Sequence, residues 1–256
     1  MIPKKIHYCW LSEDIIPEKL QVCINSWKKV MPDYELILWD SNRFDINSNQ
    51  FVREACLKKK WAFAADYIRI YALYTEGGVY LDSDVLVKKK LDEFLTSDFF
   101  TAMEYHYDTV NKAKTSELLN DDGSSKSTSN KNGIGIQAAV LGGVKGHPFF
   151  KDCLDFYSTK SFILSDGKLF NDFIAPGIYA SIAEKYGFRY VDEIQHLENN
   201  MLILSSDIFA GLPSYEKNNT YAIHNCFGSW RDKKPPSLLK RFFKKVKTLP
   251  DILYKP

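Results

Sequence analysis

No run of the roughly 18 apolar residues that a bilayer-crossing helix needs occurs in this 256-residue chain, which argues against a membrane-spanning segment. Its first ten residues, Met1 to Trp10, also lack the apolar core of a secretory signal, and the expectation is a cytosolic protein. Cysteine is sparse. Cys9, Cys23, Cys56, Cys153 and Cys226 stand far apart with no CxxC pair, which speaks against a zinc or dithiol site and for reduced, mostly buried thiols. Charge of one sign is not in excess: 34 Lys+Arg against 32 Asp+Glu gives no global attraction to nucleic acid, so any basic partner surface must be local. There is no internal repeat. What is present, 45% hydrophobic and 14% aromatic residues, is enough to bury a sizeable core and excludes disordered and collagen-like classes; the length fits one large α/β domain.

The hydrophobic periodicity alternates between two kinds. Ile6 to Trp10 and Tyr34 to Asp40 read as strands, while Glu18 to Val30 and Phe51 to Lys60 read as helices, so the chain opens β-α-β-α. Trp61 to Glu76 is a further helix with Phe63, Tyr67, Ile70, Tyr71 and Tyr74 at three- and four-residue spacing, and Gly77-Gly78 supplies a left-handed stop. Val79 to Leu81 and Val85 to Val87 are then short strands around Asp82-Ser83-Asp84. Such alternation predicts a parallel-rich sheet covered on both faces. The polar stretch from Asn111 to Asn132 has little to bury and is expected to be a mobile loop. Order is expected to return with a glycine-rich strand over Gly133 to Gly143, helices from His147 to about Tyr157 and from Ala175 to Tyr186, and edge strands around Tyr190 and over Met201 to Leu204.

Asp82 and Asp84 are two carboxylates one residue apart at the end of a buried strand. Hard divalent cations take oxygen ligands, and a departing diphosphate needs its negative charge offset, so such a pair can hold Mg²⁺ or Mn²⁺ against a diphosphate. Alone, the tripeptide is equally a turn whose carboxylates cap backbone N–H groups. Asp66 and Arg69, three residues apart, share one face of the preceding helix, where they are either part of a site or a surface ion pair of little consequence.

The run from Trp61 to Asp84 resembles the core signature of glycosyltransferase family 32, which includes bacterial polysaccharide transferases and fungal mannosyltransferases. A second stretch, Ala222 to Trp230, is similar to that family's closing His-x-x-x-x-Ser-Trp motif, here His224, Ser229 and Trp230. The resemblance implies an α/β GT-A type nucleotide-binding fold, a Rossmann-like mixed sheet flanked by helices, over residues 1–232. It implies a nucleotide-sugar donor and Mn²⁺ or Mg²⁺ held by Asp82, Asp84 and His224. Asp66 and Arg69 would grip the donor sugar, Arg69 reaching the diphosphate as well; Ser229 and Trp230 would donate to the diphosphate. Trp10, with Tyr8 and Trp39 at the ends of the first two strands, would hold the nucleotide, unless Trp10 is simply a core residue. Gln137, where relatives often carry Asn, either offers its amide to the anomeric carbon or is a strand residue turned away. His7 is expected to pack, and His106, His147 and His196 have no chemical context.

Transfer would retain the donor's anomeric configuration, with Asp66, Arg69, Asp82 and Gln137 around the reacting carbon and no protein general base required, since the leaving phosphate can accept the acceptor's proton. From bacterial relatives the donor is expected to be UDP-galactose or UDP-glucose, with GDP-mannose as the alternative, and the acceptor a glycan such as a lipid-linked repeat unit of a capsular polysaccharide. A non-catalytic sugar or lipid-surface binding protein is the competing class. The tail, residues 233–256, repeats Leu238, Leu239, Phe242, Phe243 and Val246 at helical spacing among Lys240, Arg241, Lys244, Lys245 and Lys247. A basic amphipathic helix of this kind either lies on the anionic cytoplasmic face of a membrane or packs on its own domain; no motif supports nucleic-acid binding.

Overall fold

The computed structural model describes residues 1–170 and 173–227. Its strands and helices run β1 (Lys5–Cys9), α1 (Glu18–Val30), β2 (Glu35–Trp39), α2 (Gln50–Leu57), α3 (Trp61–Glu76), β3 (Gly78–Leu81), β4 (Val85–Val87), β5 (Phe99–Tyr105), α4 (Tyr107–Ala113), β6 (Ile134–Ile136), β7 (Val140–Gly143), α5 (Pro148–Ser158), α6 (Ala175–Ala183), β8 (Gln195–Leu197), β9 (Met201–Leu204), β10 (Phe209–Ala210) and β11 (Ala222–His224). The helices start and stop where local chemistry dictates. Asn49 accepts from Val52 N at 3.1 Å to cap α2, and His147 Nδ1 accepts from Phe149 N at 3.3 Å ahead of Pro148 in the first turn of α5. α1 carries Glu18 in its first turn and Lys28 and Lys29 in its last, matching its dipole, and buries Leu20, Cys23, Ile24 and Trp27 on one stripe.

The main sheet has the order β2-β1-β3-β7-β5-β9-β8, with β6 pairing off β5. It is mixed. β1 pairs parallel with β2 and β3, and β5 with β9, whereas β7 runs antiparallel to both β3 and β5, and β8 antiparallel to β9. The parallel-rich sheet suggested by strand–helix alternation therefore holds within β2-β1-β3 and within β5-β9 but is broken between them by β7, which returns from β6 with no helix in between and runs antiparallel to both its neighbours. β9 lies inside the sheet, not at its edge, and Tyr190 is in no strand.

Two cores sandwich this sheet. On one face α2, α3, α5 and α6 pack Phe51, Ile68, Phe149 and Tyr179 against Ile37, Tyr80, Leu141 and Ile203. On the other, α1 and a small sheet of order β10-β11-β4 bury Trp27, Val85, Phe209 and Ala222 against Ile6, Val79, Leu81 and Phe100. The Trp27 indole donates to Val85 O at 2.7 Å, tying α1 to β4 and so fixing the chain just beyond Asp84. His7 is fully buried, as expected of a packing residue. Its Nδ1 accepts from Trp39 Nε1 at 3.0 Å and its Nε2 donates to Gly77 O at 2.8 Å, and burial keeps it neutral by pushing its pKa below the usual range.

Gly142 sits on β7 opposite Phe100, and a Cβ there would come within 2.0 Å of the Phe100 ring. Phe100 covers the strand where a side chain would otherwise stand. Gly142→Ala is expected to destabilise the fold by about 1–3 kcal/mol, read as a lower urea midpoint at unchanged m-value.

The segment 111–132 is not the free loop that its composition suggests. Thr115 is buried and donates to Asn132 O at 2.7 Å, Leu119 bridges Ser125, and Tyr190 N donates to Gly123 O at 2.8 Å. Lys131 is buried over the Tyr190 ring, 3.7 Å from Glu184. Internal contacts close the stretch on itself, and Gly123 and Lys131 hold it to Tyr190 and Glu184 of the body.

Candidate active site

The carboxyl ends of β1, β2 and β3 form one edge of the sheet, at the point where strand order reverses, the place where open α/β sheets bind ligands. α3 ends at Gly77, whose φ of 68° and N–H to Leu73 O turn the chain directly into β3. That hairpin of helix and strand brings Asp66 and Arg69 alongside Asp82. One Arg69 nitrogen, Nη2, contacts Asp66 Oδ1 at 3.0 Å and Asp82 Oδ1 at 3.1 Å; Nη1 donates to Ala138 O at 2.9 Å, and the guanidinium stacks over Tyr80 with 4.9 Å from Cζ to the ring centroid. Tyr80 OH donates to the same Asp82 oxygen at 3.0 Å.

This is not a surface ion pair, since the Arg69 side chain is 4% exposed. It also differs from a guanidinium reaching a diphosphate. Arg69 spends both terminal nitrogens inside the protein, so its geometry is that of a residue holding two carboxylates and the Ala138 carbonyl in place. Burial pushes the Asp66 carboxyl up to about 7, Arg69 pulling it down and Asp82 adding to the rise. One guanidinium shared between two carboxylates is not enough to keep both ionised cheaply.

The folded Asp66 holds its proton to about pH 7 whereas the unfolded chain gives it up near 3.8, so this group removes stability as pH rises through that window and contributes no penalty below it. Asp66→Asn is expected to flatten the stability profile between those pH values, gaining about 1–4 kcal/mol relative to the parent at pH 8. Urea midpoints at pH 4.5, 6 and 8 in the presence of chelator check this; parallel profiles for the two chains would sink it.

Asp84 projects from the turn between β3 and β4, where β11 runs antiparallel to β4 with His224 opposite Val85. His224 Nε2 lies 3.2 Å from Asp84 Oδ1, and Phe227 N donates to Asp84 Oδ2 at 2.9 Å. Burial would lower the His224 pKa, but Asp84 and Cys226 outweigh it and raise it well above the ordinary value; Asp84 is lowered in turn despite its burial, chiefly by His224. Ligand atoms of Asp82, Asp84 and His224 all lie within 4.8 Å of one another. A divalent cation with ligands at about 2.0–2.6 Å needs that spacing, and two carboxylates with an imidazole suit Mg²⁺ or Mn²⁺ chemistry. The donor set therefore fits such an ion.

The remaining expected residues fall in different places. Gln137 follows β6 and is buried; its Nε2 donates to Phe209 O at 2.6 Å, while Oε1 has no partner among the described residues. Its amide is thus half committed to β10, and its neighbour Ala138 is the one Arg69 holds. Trp10 is half-buried with its N–H on Asp14 O at 2.8 Å, and Tyr8 packs edge-on against Trp27. Trp39 is a core residue: 4% exposed, bonded to His7 and packed on Tyr71. A ring so enclosed stacks on no nucleotide base. Ser229, Trp230 and the tail lie outside the described residues. Three further residues, none of them a candidate by sequence, border the site: Tyr80, Tyr179, whose OH donates to Asp66 O at 3.1 Å, and Cys226. Tyr80 carries a legible signal, since residues two apart at a strand end share a face with Asp82.

Residues 17–101 match the family described as "Glycosyltransferase sugar-binding region containing DXD motif", a span that includes α1, α3 and Asp82-Ser83-Asp84. Over 153 residues the chain is 30% identical to inositol phosphoceramide mannosyltransferase 3 of Schizosaccharomyces pombe, covering 58% of this chain and 35% of that protein. Over 158 residues it is 29% identical to mannosyl phosphorylinositol ceramide synthase SUR1 of Saccharomyces cerevisiae, covering 60% and 34%. Both relatives carry names of mannosyl transfer, and the likeness of this chain to them is confined to these stretches. The chain spans about a third of the length of these relatives. In fold alone, mouse xyloside xylosyltransferase 1 in its apo form superposes with a TM-score of 0.51 at 8% identity, covering 88% of this chain and 98% of that one. The α/β architecture, a large mixed sheet flanked by helices, is the GT-A type. DXD glycosyltransferases of this fold use nucleotide-sugar donors and divalent metals.

Proposed function

We propose that the chain moves a hexose from a nucleotide sugar to a hydroxyl of a glycan or lipid-linked acceptor, with retention at the anomeric carbon. The observation that carries this reading is the convergence of Asp82, Asp84 and His224 within 4.8 Å, beside an Arg69 that holds Asp66 and Asp82 together. Asp82, Asp84 and His224 would hold Mn²⁺ or Mg²⁺, which when bound supplies positive charge against the departing diphosphate. Arg69 holds Asp82 and Asp66 together, in the positions from which they would meet that ion and the donor sugar. In the transfer, the bond from the anomeric carbon to the diphosphate oxygen breaks and a bond to the acceptor oxygen forms. The acceptor's proton passes to the leaving phosphate oxygen, so electrostatic preorganisation, not a protein base, carries the rate. Gln137 Oε1, buried and unpartnered among the described residues, is the candidate for a polar contact near the reacting carbon.

Two donor readings stand. The resemblance in the signature favours UDP-galactose or UDP-glucose for capsular-type polysaccharide synthesis. The names of the two fungal relatives favour GDP-mannose and a phosphoinositol-ceramide class of lipid acceptor, and we give this reading equal weight. A lipid-linked acceptor agrees with the basic, apolar-striped tail, which we propose lies on the cytoplasmic face of a membrane. No helix among the described residues is long and apolar enough to cross one.

The test is a donor screen with Mn²⁺ or Mg²⁺, following thermal stabilisation and slow donor hydrolysis. One donor that stabilises and is hydrolysed only with metal is the expected result. Metal-dependent stabilisation without turnover toward any acceptor would favour the non-catalytic binding protein, and no response to any sugar nucleotide would overturn the assignment.

A further inference from the structure

We infer that Cys226 is a positioning residue of the cation site: its thiol sets which nitrogen of His224 faces Asp82 and Asp84. The inference rests on the reading of those three residues as metal ligands. A neutral imidazole ligates through Nε2 only if the ring proton sits on Nδ1, and that N–H needs an acceptor. His224 Nε2 lies 3.2 Å from Asp84 Oδ1, and its Nδ1 lies 3.3 Å from Cys226 Sγ. The sulfur is also 3.1 Å from Gly211 O. A carbonyl oxygen only accepts, so the S–H is directed to Gly211 and the sulfur lone pairs are left for the imidazole. The relay then has one direction, Nδ1–H to Sγ and Sγ–H to Gly211 O; the proton on Nε2, which faces Asp84 in this structure, is the one a cation would replace.

The backbone supports this. Cys226 has φ of 49°, a left-handed conformation that disfavours most residues with a Cβ and that Gly or Asn would take more easily. It is held there from both sides by Asp84. Asn225 N and Nδ2 donate to Asp84 O at 3.1 and 2.8 Å, and Phe227 N donates to Asp84 Oδ2. Between those anchors the chain turns the Cys226 side chain back to the imidazole. Backbone preference does not account for a cysteine at this position; the contact with His224 does. Histidines that bind metals usually give their other N–H to a carboxylate or a carbonyl, and here a thiol stands in that role.

The experiment is Mn²⁺ binding to the full chain, its Cys226→Ala and its Cys226→Ser variants, with free Mn²⁺ counted by electron paramagnetic resonance and no turnover required. Serine can accept and donate through the same relay, whereas alanine cannot. Alanine is expected to raise the Kd for Mn²⁺ by about 10-fold or more and serine to stay within about threefold of the parent, the usual scale for a residue that orients a ligand. Both variants should keep the parent's circular dichroism and metal-free urea midpoint. An alanine variant that binds Mn²⁺ as the parent does overturns the inference, as does equal weakening in both variants accompanied by lower midpoints, which would make Cys226 merely structural. No Mn²⁺ binding by the parent chain would instead overturn the reading of the site itself, and this inference with it.

Discussion

Asp84→Asn is expected to lower metal-dependent sugar-nucleotide turnover by at least about 10²-fold while the chain stays folded. Both Asp84 oxygens face donors, His224 Nε2 and Phe227 N. An asparagine offers one oxygen and one NH₂, so one of the two contacts becomes donor against donor, and the negative charge that would help hold a cation is gone. The loss of that charge also changes His224. Burial pushes its pKa down and Asp84 is foremost among the groups that lift it, so without the carboxylate the imidazole shifts back toward neutrality. The fold should survive because β11 is registered on β4 through Ala222↔Val87, Ile223↔Leu86 and His224↔Val85, and one lost hydrogen bond costs only about 0.5–1.5 kcal/mol. His224→Ala should cause a comparable loss of turnover while leaving the Phe227 contact to Asp84 intact. Initial rates over a Mn²⁺ titration, with circular dichroism as the folding control, check both. Full activity in either variant would remove that residue from the site.

The sequence reveals this site unevenly, for physical reasons. Asp66, Arg69, Asp82 and Asp84 lie within one helix–strand unit, so spacing of three on a helix and two past a strand is enough to bring them together. The span of α3 itself, Trp61–Glu76, is readable because Gly77 must take a positive φ and ends the helix sharply. His224 joins them only through the long-range pairing of β11 with β4, which no local pattern encodes; it was legible through the resemblance of the closing motif alone. The direction of Arg69 was hidden because its partner Ala138 arrives from the β6–β7 connection, 69 residues away. Trp39 reads from its own strand as an exposed aromatic at a strand end. It is enclosed because His7 on β1 and Tyr71 on α3 close over it. The polar stretch 111–132 misleads for the same reason: composition counts its serines and asparagines, while Thr115 closes the stretch on Asn132 and the anchors at Gly123 and Lys131 depend on Tyr190 and Glu184, far along the chain.

Arg69→Met is expected to be the most destabilising single change in the site, about 3–5 kcal/mol at pH 8. The side chain is 4% exposed, ties Asp66 to Asp82 through one nitrogen and holds Ala138 O through another. Methionine fills much of the volume over Tyr80 but leaves two carboxylates close together in a poorly hydrated place with no compensating charge. Their cheapest response is to take up a proton. Asp66, already raised to about 7 with Arg69 present, should rise further when the guanidinium that pulls it down is removed. The penalty should therefore shrink as pH falls. At pH 5 the variant recovers part of its stability because a neutral Asp66 needs no guanidinium, whereas a loss caused by packing alone would be the same at both pH values. Arg69→Lys should fall between the two chains, since one ammonium cannot reach Asp66, Asp82 and Ala138 O in the same geometry as a planar fork. Urea denaturation of the three chains at pH 5 and pH 8, in chelator, separates these outcomes. A methionine variant as stable as the parent at pH 8 would mean that the shared guanidinium does not hold this edge of the sheet together.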